Sequence, residues 1–181
     1  MAAVTADTAR LFFAAWPAPE VQHALGERAR ALQRECGGRA VPADNIHLTL
    51  VFLGDVERAI LPSLNALVAA VTAPRFDLQV GRVEFWRHNR IVWAGVEECP
   101  EPLPRLVARL GQALAATGVR LDQRPYVPHI TLLRDARRAP ASNAVAAIRW
   151  PMADFVLVES VQRERGRVYE VLQRWPLAGD E

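Results

Sequence analysis

The sequence predicts an α+β fold of mainly antiparallel strands interleaved with helices, built from two similar halves that face each other across a cleft. Three observations carry this expectation. Strand-like and helix-like stretches interleave along the 181 residues. Arg165-Gly166-Arg167 lies between two β-rich runs and reads as a hairpin turn, so antiparallel pairing is expected. One motif is also written twice, as His47-Leu48-Thr49-Leu50 and His129-Ile130-Thr131-Leu132, 82 positions apart (129 − 47). A repeat half a chain apart suggests duplicated halves whose equivalent strands face each other across a cleft.

Arg10–Trp16 (RLFFAAW) reads as a buried strand, stopped by Pro17 and Pro19. Pro19-Glu20 opens a helix to Cys36, with Val21, Leu25, Ala29 and Leu32 at helical spacing, and Gly37-Gly38 ends it. Residues 45–53 carry the first motif strand, punctuated by Gly54-Asp55. A second helix follows through Ile60, Leu64, Leu67, Val68 and Val71. Two strands come next: Phe76–Val83, with Phe76, Leu78 and Val80 alternating, and Ile91–Val96. The connector Glu84–Arg90 between them holds Trp86, Arg87, His88 and Arg90. Residues 102–116 form a third helix with Leu103, Leu106, Val107, Leu110 and Leu114 on one stripe, closed by Gly118. Residues 126–134 carry the second motif strand. A short helix near 139–148 leads to a strand at Phe155–Val161, and Val168–Trp175 closes the chain. Nothing reads as a linker or low-complexity tract, so a single bilobal domain, 1–181, is expected.

Bulk properties narrow the function. An apolar content of 51% with mean hydropathy near zero fits a soluble globular protein. No run approaches the ~20 apolar residues of a membrane span, and no signal peptide is read in the first residues. Cys36 and Cys99 form no disulfide framework and no C-x-x-C, which fits free thiols in a reducing cytoplasm. A net charge of +2 argues against a protein that coats nucleic acid generally. All 22 basic residues are Arg, which fits biased codon composition and carries no functional reading.

A strand exposes alternate residues on one face. His47 and Thr49 are therefore expected to point one way, with Ile46, Leu48, Leu50 and Phe52 the other. His129 and Thr131 share a face opposite Ile130 and Leu132. One His-x-Thr alone carries little, since both residues are ordinary in strands. Two copies in matched apolar phase point to function.

The residues resemble a known family nearly end to end. Asn45-Ile46-His47-Leu48-Thr49-Leu50-Val51-Phe52-Leu53-Gly54 and Pro125-Tyr126-Val127-Pro128-His129-Ile130-Thr131-Leu132 are similar to the two signatures of the RNA 2′,3′-cyclic phosphodiesterases, also called bacterial 2′-5′ RNA ligases, of the two-histidine phosphoesterase superfamily. Arg10-Leu11-Phe12-Phe13-Ala14, Arg90-Ile91-Val92-Trp93-Ala94-Gly95-Val96, Val168-Tyr169-Glu170-Val171-Leu172 and Trp175-Pro176-Leu177 resemble its opening, central and closing segments. Leu133 departs from the pattern, where the family commonly has a small residue before the Arg. The resemblance implies two α+β lobes about a pseudo-twofold, with the motifs lining the groove. It also implies His47 as proton donor to the 3′-oxygen and His129 as proton acceptor from water. The sequence alone does not orient the pair.

Opening a cyclic phosphate needs water to attack phosphorus in line with the departing oxygen. Imidazole takes or gives a proton near neutrality. Two imidazoles on opposite sides of phosphorus would serve, and the Thr49 and Thr131 hydroxyls would donate to the non-bridging oxygens. A metal centre fits worse: each motif supplies one His, catalytic zinc wants three protein ligands, and H-x-H and H-E-x-x-H spacings are absent. Asp44 reads as a turn residue. A Ser or Cys nucleophile lacks local activation. No cofactor is expected.

Other candidates are open. Arg134 either contacts phosphate or forms a structural ion pair; ideal alternation puts it opposite His129 and Thr131, so it needs a bulge or strand end to reach. Tyr126 either stacks on a base or packs as a β-former beside Pro125 and Pro128, and packing is favoured. The connector with Trp86, Arg87, His88 and Arg90 either touches RNA or is a solvated loop, and the loop is favoured. Trp16, Trp93, Trp150 and Trp175 read as core and His23 as incidental.

The expected activity is hydrolysis of RNA 2′,3′-cyclic ends to 2′-phosphates without metal. A related two-histidine enzyme on 2′-5′ linkages or cyclic nucleotides, and a non-catalytic binder of RNA ends, are the alternatives. The expected partners are RNA ends or small cyclic nucleotides, with no membrane and no obligate protein partner; the expected state is a cytoplasmic monomer.

Overall fold

The computed structural model describes residues 7–164 and 166–178. Its two sheets are antiparallel throughout. Strand β1 (Thr8–Ala15) leads into helix α1 (Pro19–Cys36), strand β2 (Arg39–Ala40), a 3-10 turn at Ala43–Asn45 and β3 (Leu48–Glu57). A 3-10 turn at Arg58–Ile60 precedes α2 (Leu61–Val68), then come β4 (Phe76–Trp86), β5 (Ile91–Gly95) and α3 (Pro102–Ala115). Strands β6 (Ile130–Arg134), β7 (Ala144–Met152), β8 (Asp154–Arg163) and β9 (Gly166–Pro176) complete it. One sheet has the order β3-β1-β8-β9 and the other β2-β6-β5-β4-β7.

The sheets do not correspond to the sequence halves. Each takes strands from both, so β1 and β3 pair into a sheet with β8 and β9, while β2, β4 and β5 join β6 and β7. Helix α1 follows a strand of the first sheet yet packs on β6 and β7 of the second. Its buried stripe is the expected one, Val21, Leu25, Ala29 and Leu32, extended by Cys36. Helix α3 buries Leu103, Leu106, Leu110 and Leu114 and packs on α2 and β3. One main core joins both sheets to the helices, and a smaller cluster of Phe12, Ala14, Val156 and Val158 lies on the other face of the β3-β1-β8-β9 sheet.

The expected helix near 139–148 is overturned. Residues 144–152 form β7, paired to β4 through Leu78↔Trp150, Gln79↔Arg149 and Val80↔Ile148. The alanines there favour helix weakly, but the ladder and the burial of Trp150 and Met152 outweigh propensity. Pro151 is accommodated because β7 is an edge strand. The connector Glu84–Arg90 is a loop only over its last four residues. Glu84, Phe85 and Trp86 pair with Trp93, Val92 and Ile91 and make a long hairpin. The expected turn at Arg165-Gly166-Arg167 is a hairpin between β8 and β9 closing at Arg163↔Gly166, with Arg165 outside the described residues. Among the described residues, no helix is long and apolar enough to cross a membrane.

Candidate active site

The two histidines share one local construction. His47 immediately precedes β3 and His129 immediately precedes β6; the two strands start at Leu48 and Ile130, later than the expected 45 and 126, so each histidine sits just outside its strand. His47 Nδ1 donates to the carbonyl of Asn45 at 2.7 Å, and His129 Nδ1 donates to the carbonyl of Val127 at 2.9 Å. A proton fixed on Nδ1 leaves Nε2 as the nitrogen able to accept a further proton in both rings. The Thr49 hydroxyl lies 3.2 Å from His47 Nε2.

The strands also share a defect. In β3, Phe13 pairs with Val51 and Ala14 with Thr49, so Leu50 is an extra residue. In β6, Val92 pairs with Leu133 and Trp93 with Thr131, so Leu132 is extra. Each bulge sits just after the motif Thr and shifts the alternation by one. Leu50 and Val51 are both buried, as are Leu132 and Leu133. The expected placement of Phe52 with the buried apolar set is therefore wrong. Phe52 is 44% exposed, with the Arg10 guanidinium 4.9 Å from its ring centre. Arg134 stands at the corresponding position of the second motif. The bulge brings it onto the face of His129 and Thr131, as a substrate contact would require.

Aromatic rings wall both imidazoles. His47 lies parallel to Trp16 at 5.3 Å, with Phe12 at 4.9 Å and Tyr169 edge-on at 5.0 Å. His129 has Trp86 at 4.8 Å and Trp93 at 6.2 Å, both edge-on. Trp16 and Trp93, expected as core, are half-buried wall residues; Trp150 and Trp175 are core. Four separate strand segments, at β1, β4, β5 and β9, supply these five rings, so no local pattern announced them. The sequence also passed over Asn45. Its carbonyl orients His47, while its Nδ2 donates to the carbonyl of Arg167 at 3.0 Å.

Burial lowers the His47 pKa from 6.5 to about 4, and the positive charges of Arg134 and His129 push the same way, against the Asn45 hydrogen bond. His47 is thus neutral in the unliganded protein, and Arg134 and His129 lie near enough for their charge to reach it. Tyr126 is half-buried against the main core, and its hydroxyl donates to the Thr49 carbonyl at 3.1 Å. That geometry makes it a strut between segments of the two motifs. Asp44 lies in the 3-10 turn before His47, as expected. Among the described residues, no three His, Cys, Asp or Glu side chains converge as a metal-ligand set.

Two antiparallel sheets, each carrying a bulged His-x-Thr strand, define an α+β protein of a two-histidine class. The chain belongs to the 2′-5′ RNA ligase superfamily, whose model matches residues 17–167. It is 38% identical over 172 residues to the RNA 2′,3′-cyclic phosphodiesterase of Escherichia coli (strain K12), covering 93% of this chain and 96% of that one. Its fold matches the crystal structure of E. coli LigT in apo form with a TM-score of 0.85 and 33% identity, over 94% of this chain and 98% of that one. E. coli LigT complexed with 3′-AMP matches with a TM-score of 0.81 and 32% identity, over the same shares.

Proposed function

We propose that this protein hydrolyses RNA 2′,3′-cyclic phosphate ends to 2′-phosphate ends by metal-independent acid–base catalysis with His47 and His129. The observation that carries this is the matched construction of the two rings: each is locked through Nδ1 to the carbonyl two residues upstream. Full-length similarity to an RNA 2′,3′-cyclic phosphodiesterase supports the substrate class. The two motif strands are read as related by a pseudo-twofold, with the substrate phosphate in a groove between the lobes.

His129 Nε2 takes a proton from water as its oxygen attacks phosphorus. The bond from phosphorus to the 3′-oxygen breaks, and His47 Nε2 gives that oxygen its proton, leaving the phosphate on the 2′-oxygen. Because His47 is neutral when the site is empty, the phosphodiester anion must draw a proton onto it. Its negative charge favours the imidazolium and offsets the repulsion from Arg134. Thr49, Thr131 and Arg134 hold the non-bridging oxygens.

Membership of the 2′-5′ RNA ligase superfamily favours one second reading, in which a 5′-hydroxyl replaces water and a 2′-5′ linkage forms. Incubating the protein with a cyclic-phosphate-ended oligonucleotide in EDTA, with and without a 5′-hydroxyl acceptor, tests both. The expected product is a 2′-phosphate monoester in either mixture. Activity lost in EDTA and restored by a divalent ion, or a 3′-phosphate product, would overturn the mechanism.

A further inference from the structure

We propose that the end of the five-stranded sheet where the β4–β5 hairpin meets the turn after β6 binds the single-stranded RNA leading up to the cyclic end. Arg39, Arg87, Arg90 and Arg134 form a phosphate-binding rim there, and Trp86 links it to His129. This rests on the phosphodiesterase reading above and adds a subsite for the rest of the chain.

The rim is built rather than incidental. Asp135 accepts from Arg39 Nε at 3.1 Å and Nη2 at 2.6 Å, and from Arg90 Nη2 at 3.2 Å. The backbone N–H of Ala136 donates to the Arg90 carbonyl at 3.0 Å, tying the hairpin tip to the turn after β6. Arg90 and Asp135, with φ of 55° and 56°, are the non-glycine residues in the left-handed region among the described residues. That conformation is unfavourable for such side chains and concentrates at sites where surroundings enforce it. Here both instances fall in one contact.

Two separate paths connect this tip to the imidazoles. Trp86 closes the strand part of the hairpin with its ring 4.8 Å from His129, and Arg87 follows it. On the other side, Arg134, whose charge reaches His47, is the neighbour of Asp135. Asp135 pairs with Arg39 and Arg90 only, so these four guanidiniums and one carboxylate carry a local excess of three positive charges. Arg39 and Arg90 are 77% and 58% exposed even while paired. Among the described residues, exposed Arg87 has no ion pair. Arginine forks suit phosphate, and an aromatic ring beside a basic groove suits stacked bases of a single strand. A mononucleotide filling the histidine site would leave the outer rim unused, so the rim discriminates by substrate length.

The test compares a mononucleoside 2′,3′-cyclic phosphate with a single-stranded RNA dodecamer ending in the same group, using wild type, Arg87→Gln and Arg39→Gln/Arg87→Gln. The expected result is a loss of about tenfold in kcat/KM on the RNA for the double variant, with the mononucleotide changed less than twofold. The log–log salt dependence for RNA should flatten by about 0.7 per phosphate contact removed. Arg87→Gln alone, at an exposed position without an ion pair, should show the same selective pattern at smaller size. Equal losses on both substrates, or an unchanged RNA KM and salt slope, overturn the rim. Binding of a 3′-phosphate-ended dodecamer, followed by fluorescence anisotropy, judges the rim without turnover. If wild type turns over neither substrate, the phosphodiesterase reading fails, while RNA binding weakened by the substitutions still supports the subsite and unweakened binding overturns it.

Discussion

The hydroxyl of Tyr126 donates to the main-chain carbonyl of Thr49 at 3.1 Å, 77 residues away. One bond thus ties the segment leading into His129 to the strand that carries the first motif. Burial raises the Tyr126 pKa, so the phenol stays a donor at any working pH. Tyr126→Phe keeps the ring and removes the bond. We expect a stability loss of about 1–3 kcal/mol, the cost of depriving a buried group of its partner, and a fall in kcat/KM of less than about tenfold. Denaturant titration and steady-state kinetics on a cyclic-phosphate substrate check this. A loss as large as that of a histidine variant would give Tyr126 a direct part in the chemistry.

His47→Ala and His129→Ala should each lower the rate by at least ~10²-fold, the low end of an acid–base contribution. The double variant should lose less than the product of the two single losses, because the rings act on one proton transfer sequence. Single-turnover rates of all three decide it; near-wild-type turnover in either single variant would refute the assignment.

Thr49→Val and Thr131→Val swap a hydroxyl for a methyl in strands that tolerate both. Each should cost roughly 1.5–3 kcal/mol in transition-state binding, the scale for hydrogen bonds to charged groups. Thr49→Val also removes the hydroxyl 3.2 Å from His47 Nε2, so its pH–rate profile should shift while that of Thr131→Val keeps its shape. If both variants turn over at wild-type rates, the threonines only fill strand positions.

The histidines, threonines and helical stripes were legible because each depends on local spacing. The inner faces at Leu48 and Ile130 follow simple alternation and are buried as expected. Alternation failed past Thr49 and Thr131, where a bulge in each strand turned Phe52 and Arg134 outward. No residue in Leu50-Val51 or Leu132-Leu133 advertises a bulge; the register is set by β1 and β5. The same limit hid β7, whose alanines carry helical preference until β4 pairs with them. It also hid the aromatic walls, which come together only when the two sheets draw strands from both halves.

Gly38 tests how firmly the Arg134 position is held. Its φ is +83°, and a Cβ there would meet the Arg134 carbonyl oxygen at 2.5 Å and the Ala136 nitrogen at 2.8 Å. Both are backbone atoms that cannot swing away. Gly38→Ala should cost at least about 1–2 kcal/mol from the left-handed conformation alone, with the clash added. Displacing the turn after β6 should also raise KM for a phosphate-containing substrate. A variant with unchanged melting temperature and KM would show that the turn relaxes freely.

The depressed His47 pKa gives stability a pH dependence of defined sign. In the unfolded chain the imidazole titrates near its ordinary 6.5, whereas in the folded protein it titrates at about 4, chiefly because burial disfavours its charged form. Between those values the unfolded state binds more protons, so stability rises with pH through this window. The contribution is fully present above the unfolded value and is lost as pH falls toward the folded one. The gap corresponds to at most roughly 3 kcal/mol. Unfolding free energies of wild type and His47→Gln should therefore converge or cross between pH 7 and pH 4.5, with wild type falling more steeply. Adding a nucleotide phosphate should reverse the tendency at His47 itself, since an anion beside the ring stabilises the imidazolium. NMR titration of the imidazole would show the midpoint moving upward in the complex. If it stays near the unliganded value with phosphate bound, His47 remains neutral on the substrate; the acid role then passes to His129, and the directions of proton transfer exchange while the pair stays the same.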